Sequence, residues 1–200
     1  NGNNSIATGT NADTAGVNAV ATGNNADALA DNSIASGTNA TATGISSISI
    51  GTNSTAIDDQ SVALGNGTSA TGIGSSALGS NSLANGDGAT AVGDGSDAVG
   101  LDSSAFGNNA FANNVDATAI GEGTQASGAY SLAVGSDAVA SSQGSVAMGG
   151  DSLADNTFAT AVGTSSDAGG ISSTALGFDT NASGDQATAS GAFASAGAYA

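Results

Sequence analysis

Glycine stands at residue 9 and at every fourteenth residue after it: Gly9, Gly23, Gly37, Gly51, Gly65, Gly79, Gly93, Gly107, Gly121, Gly135, Gly149, Gly163, Gly177 and Gly191. All fourteen copies share one register, with no insertion or deletion. The elements of a packed globular domain vary in length. A strict period this short therefore predicts a solenoid, in which each coil buries its apolar face only against its neighbours. One unbroken register over 1–200 predicts a single rod-like domain. Fourteen coils at about 4.8 Å each make it roughly 65 Å long.

The coil can be read position by position from the glycine. Two before it stands Ala in every coil but one, where Ser49 replaces it, and four before it stands Ser or Ala throughout. Larger residues lie between. Immediately before the glycine the chain reads Thr8, Thr22 and Ser36. The run Ile50, Leu64, Leu78, Val92, Phe106, Ile120, Val134, Met148, Val162 and Leu176 follows, and then Ser190. Alternating small and large residues over five positions predict a β-strand with one small-residue face and one large-residue face. None of the seventeen acids falls in that segment, so both faces are expected to be covered.

After the glycine come two turn residues. The second is often Asn or Gly, types that tolerate positive φ. A second short strand then carries Ala two residues after an Ala, Ser or Thr, with Thr14 the one departure from that Ala. A second turn closes the coil, with glycine seven after the recurring one in Gly16, Gly44, Gly72, Gly86, Gly100, Gly128, Gly170 and Gly184. The fold class expected is all-β: a parallel β-roll with small residues inside and the larger residues of the first strand pointing out. An alanine-and-serine interior gains little from burial, at about 0.8 kcal/mol per methylene. A long exposed Ile-Leu-Val-Phe ladder invites association. Self-association through the ten residues Ile50 to Leu176 of that ladder is therefore expected.

Composition narrows function. There is no Lys, Arg, His, Cys, Pro or Trp, and the net charge is −17. Nothing can pair with phosphates, which excludes nucleic acid as a partner. Docking on anionic lipid is equally disfavoured. With no His, Cys or Lys, only carboxylates and hydroxyls remain, and the repeat accounts for their positions as strand and turn residues, so no enzymatic role and no catalytic residue are expected. Asp58-Asp59 and Asp94 to Asp97 read as acidic turns rather than as a metal site, and no cofactor is expected. Asn1 and Ala200 both fall inside a repeat, so an export signal, stalk and membrane anchor are expected to lie outside this segment.

Ser33-Ile34-Ala35-Ser36-Gly37, Ser47-Ile48-Ser49-Ile50-Gly51 and Ser61-Val62-Ala63-Leu64-Gly65 resemble the S-V-A-I-G head repeat of YadA-like trimeric autotransporter adhesins. Gly37-Thr38-Asn39-Ala40-Thr41-Ala42 fits the same pattern. The resemblance covers the whole chain at the family's own period. It implies a left-handed roll and three chains side by side, at the tip of a surface fibre on the outer membrane of a Gram-negative bacterium. The implied function is attachment to host matrix, to cells, to abiotic surfaces or to other bacteria. Heads of that family carry some basic residues; this one carries none. The alternatives are a passive spacer presenting another tip domain and, less in keeping with the interrupted Thr columns, an ice-binding solenoid.

One further pattern stands out. Eight residues after the glycine the first seven coils read Val17, Asp31, Ile45, Asp59, Ile73, Asp87 and Leu101, aliphatic and acid in turn. Two readings are open. Doubling the spacing of like charges relieves repulsion between coils, or the alternation is a relic of duplicating two-coil units.

Overall fold

Gly37 shows why the period admits no exception. Its φ is +140°, and a Cβ there would lie 2.3 Å from the carbonyl oxygen of Gly51 in the next coil. Both the left-handed backbone and the close approach of successive coils exclude a side chain. The recurring glycine thus ends one strand and lets the coils stack.

The computed structural model describes residues 2–197, and the chain divides into two compact units, 1–102 and 103–200. In the first, three-residue strands from Ile6–Thr8 to Thr90–Val92 form one sheet, and two-residue strands from Asp13–Thr14 to Asp97–Ala98 form another. Pairing is parallel and joins equivalent residues of successive coils: Ile6 lies opposite Val20, Ala7 opposite Ala21 and Thr8 opposite Thr22. In the second unit the long strands run from Ser104–Phe106 to Thr188–Ser190 and the short ones from Phe111–Ala112 to Ser195–Ala196, in the same register. No helix occurs among the described residues. Each unit is a parallel β-solenoid of fourteen-residue coils.

The strands are shorter than the five residues expected, because both ends of that segment belong to turns. At one end the glycine leaves the β region. At the other, Ser33 folds its hydroxyl back onto the Ala30 carbonyl at 2.6 Å, and Ser61 does the same to Asp58. Between coils, backbone donors alternate in direction. Val20, Asp27 and Leu29 donate to Ser33, Ala40 and Ala42 of the following coil, while Gly23, Asn25 and Asn32 donate to Thr8, Thr10 and Val17 of the preceding one. Each such bond contributes about 0.5–1.5 kcal/mol net. This ladder, repeated at every coil, supplies order that the thin interior does not.

The interior is columns of small side chains. Ala21, Ala28, Ala35, Ala42 and their equivalents in later coils are buried, while Ala7 of the first coil is exposed. The two departures from alanine are compensated in place. Ser49 and Ser54 share a hydrogen bond of 2.7 Å across the interior, and Thr14 donates to the Ser5 hydroxyl at 2.9 Å. A second hydroxyl or a turn carbonyl faces the hydroxyls of Ser33, Ser49, Ser54 and Ser61, whereas the buried hydroxyls of Ser47 and Ser75 meet no partner.

Candidate binding surface

The two outward faces and the two turn edges are the surfaces on which each unit can meet a partner. Large residues of the first strand point outward, as the small–large alternation requires. In the first unit Ile50, Leu64, Leu78 and Val92 stack in successive coils. In the second, Phe106, Ile120, Val134, Met148, Val162 and Leu176 do so. Stacking covers part of each, yet Ile50 remains 43% exposed and Ile120 42%. In the early coils Ile6, Val20, Ile34, Ile48 and Val62, three before the glycine, form a second column on this same face.

The turns are built on left-handed residues at two positions per coil. The second residue after each recurring glycine has φ between 53° and 66°, from Asn11 to Phe193. The ninth is also left-handed, through Asn18, Asn32, Ser46, Gln60, Gly74 and on to Gln186. The glycines seven after the recurring one lie in this same turn but have no positive φ. Gly16 and Gly44 are required by close approach: a Cβ would sit 2.0 Å from the carbonyl oxygen of Ala30 or Asp58 in the next coil. The Asn, Gly and Asp enrichment of the ninth position was the signal that pointed to the true left-handed residue.

Side chains in these turns bond along the stack. Asn11, Asn25, Asn39 and Asn53 form an amide ladder, each Nδ2 donating to the next Oδ1 at 2.9–3.2 Å. The aliphatic–acid alternation has a structural basis that neither sequence reading contained. The backbone N–H groups of Val17, Ile45 and Ile73 donate to the Oδ1 atoms of Asp31, Asp59 and Asp87, one coil on, at 2.7–2.9 Å. The motif returns at Ile171 and Asp185. Each aspartate closes a turn amide that its own coil does not satisfy. Where the following coil carries no acid, another acceptor is used: the Val115 amide bonds the Asn114 side chain.

Two acids of the short strands, Asp97 and Asp167, behave differently. Asp97 has a carboxyl pKa pushed above the ordinary range by partial burial. That of Asp167 is raised first by burial and then by the charge of Asp155. No cation is present anywhere in the chain to offset these charges. Asp59, weighed as part of an acidic pair with Asp58, is committed to the Ile45 amide. Among the described residues no three His, Cys, Asp or Glu side chains converge on a point that could hold a metal.

Aromatic residues appear at turns only in the second unit. Tyr130 and Phe158 occupy the ninth position with φ of 59° and 57°, and are 60% and 58% exposed. The Phe158 ring rests over Gly144, where a Cβ would fall 2.7 Å from Cδ1. Phe178 and Phe193 meet edge to face with centroids 5.3 Å apart.

Fourteen-residue coils in parallel register, with small residues inside and an aliphatic face outside, define the class: a parallel β-solenoid. The YadA head domain repeat, in two-coil copies, matches residues 15–40, 42–68, 70–96, 98–121, 112–138, 140–166 and 168–194. The chain belongs to that family. The family's two-coil unit coincides in length with the aliphatic–acid alternation. None of the curated proteins compared matches the chain. Among solved structures it is similar to the collagen-binding domain of the Yersinia adhesin YadA, at 21% identity over 89% of this chain and 83% of that one, with a TM-score of 0.35.

Proposed function

We propose that this chain is the head of a trimeric bacterial surface adhesin and that its residues 1–200 act as one attachment domain. Family membership supports the adhesin reading. The observation that carries self-association is the outward ladder. Ile50, Leu64, Leu78 and Val92 in the first unit, and Phe106, Ile120, Val134, Met148, Val162 and Leu176 in the second, lie on the outward face of the long strands, where Ile50, Phe106, Ile120, Met148 and Leu176 remain 39–43% exposed. Covering one such residue per coil contributes about 1.5–3 kcal/mol. Three copies around an axis would give every ladder a partner. Attachment then rests on many weak contacts multiplied by copy number, which needs no single dominant residue.

Light scattering on the purified chain tests the assembly: three times the 18.3 kDa chain mass is expected, and a stable folded monomer overturns it. Adhesion to wells coated with matrix protein, with host cells or with other bacteria tests the function. A head that binds none of these while remaining trimeric is a spacer. Thermal hysteresis would identify an ice binder.

A further inference from the structure

A second apolar feature lies at the turn edge of the first unit, apart from the outward ladder. Aliphatic side chains there alternate between the eighth and the sixth position after the glycine in successive coils: Val17, Leu29, Ile45, Ile57 and Ile73, with Leu101 two coils further. They are 39–54% exposed. None of these side chains belongs to the buried interior, which is filled by alanine, serine and threonine. Between them stand Asp31, Asp59 and Asp87, each exposed and each held in place by the preceding coil's backbone N–H. The edge is thus an aliphatic zigzag with a step of about 4.8 Å, crossed by oriented carboxylates about 9.6 Å apart.

Charge identifies what fits. A second copy of this chain has no cation to offer and would bring its own aspartates against these. The partner must supply cations and aliphatic groups together. Spacing identifies the conformation. In an extended strand residues three apart point to opposite faces, so cations about 10 Å apart cannot share a face. In an α-helix, residues i and i+7 share a face and lie about 10.5 Å apart, with i+3 and i+4 between them. We propose that this edge docks a basic amphipathic α-helix of another polypeptide, with its Lys or Arg residues facing Asp31, Asp59 and Asp87 and its aliphatic residues lying among Ile45, Ile57 and Ile73. The inference rests on the attachment reading and names one partner chemistry for it.

The probe is a synthetic helix of about twenty residues, with Lys at every seventh position and Leu three and four residues on, titrated by fluorescence anisotropy against the whole chain. Binding is expected, with helicity gained on association, and should weaken about tenfold or more between low and high salt. The triple variants D31N/D59N/D87N and I45N/I57N/I73N should each weaken it about tenfold or more. D137N/D151N/D179N, which removes the same charge from turns of the second unit, should change it less than about twofold. Equal binding of a scrambled peptide, equal loss in the control triple, or unchanged affinity in both edge variants overturns the proposal. So does a fall in assembly mass for I45N/I57N/I73N, which would make a second copy the occupant. Full adhesion by both edge variants overturns the helix site and leaves the attachment reading standing; a wild-type chain that adheres to nothing removes that reading instead.

Discussion

The two units share one backbone and differ in what their turns carry. In the first, turns are tied along the stack by amides and carboxylates: the Asn11 to Asn53 ladder and the Asp31, Asp59 and Asp87 caps. It contains no aromatic residue, and both interior departures from alanine, Thr14 and Ser49. The second holds every aromatic residue of the chain, with Tyr130, Phe158 and Phe193 forced into left-handed turns. Interior and ladder repeat almost unchanged. Turn residues are free to vary because they bear only a φ requirement and a stacking neighbour, so the turns are where surface chemistry is written.

The largest expected effect should erase the difference. Gly37→Val and Gly163→Val each drive a side chain into a carbonyl oxygen, that of Gly51 at 2.3 Å or of Gly177 at 2.2 Å, at φ of 140° and 130°. Both should cost more than about 4 kcal/mol, seen as loss of the cooperative circular-dichroism melt. Tolerance in either unit would mean that its coils are not held by this approach.

Interior chemistry should separate the units next. Ser54→Ala strands the buried Ser49 hydroxyl and should cost about 1–3 kcal/mol by chemical denaturation. In the second unit Ser166→Ala removes only a bond to the Gly163 carbonyl and should cost about 0.5–1.5 kcal/mol. The double variant S49A/S54A should recover most of the first loss. If it does not, the hydroxyl pair is not the reason Ser49 is tolerated.

The caps give a test of sign. Asp59→Ala and Asp185→Ala should each destabilise by about 0.5–1.5 kcal/mol through the lost acceptor for Ile45 and Ile171. Glu122→Gln, exposed in a turn, should be neutral or slightly stabilising. Repulsion among like charges alone predicts that all three stabilise. A rise in melting temperature for Asp59→Ala would restore the charge-spacing reading.

Smaller still is relief of turn strain. Phe158→Asn and Tyr130→Asn should gain about 0.5 kcal/mol, because Asn accepts left-handed φ and a large side chain does not. Asn25→Phe in the first unit should lose stability by breaking two ladder bonds. The smallest effect is acid-linked. Asp97 and Asp167 have folded-state pKa values raised above those of the unfolded chain, so their ionisation opposes folding at neutral pH. Stability should rise as pH falls through their folded values towards the ordinary carboxylate range near 4. Asp97→Asn and Asp167→Asn should each flatten that rise in melts across pH.

The sequence by itself determined the solenoid, its period, the small-residue interior and the outward direction of the Ile50 to Leu176 ladder. Each follows from strict repetition: a side chain at a fixed place in every coil meets the same neighbours, so one position reports on all. Tertiary structure decided what happens between coils. The carboxylate caps and the Ser49–Ser54 and Thr14–Ser5 pairs join atoms five to fourteen residues apart in sequence. Their partners become neighbours only when the coil closes and the next stacks on it. Composition showed that acid and aliphatic alternate; only the stacked backbone, with an amide pointing along the axis at each turn, showed what the acid is for.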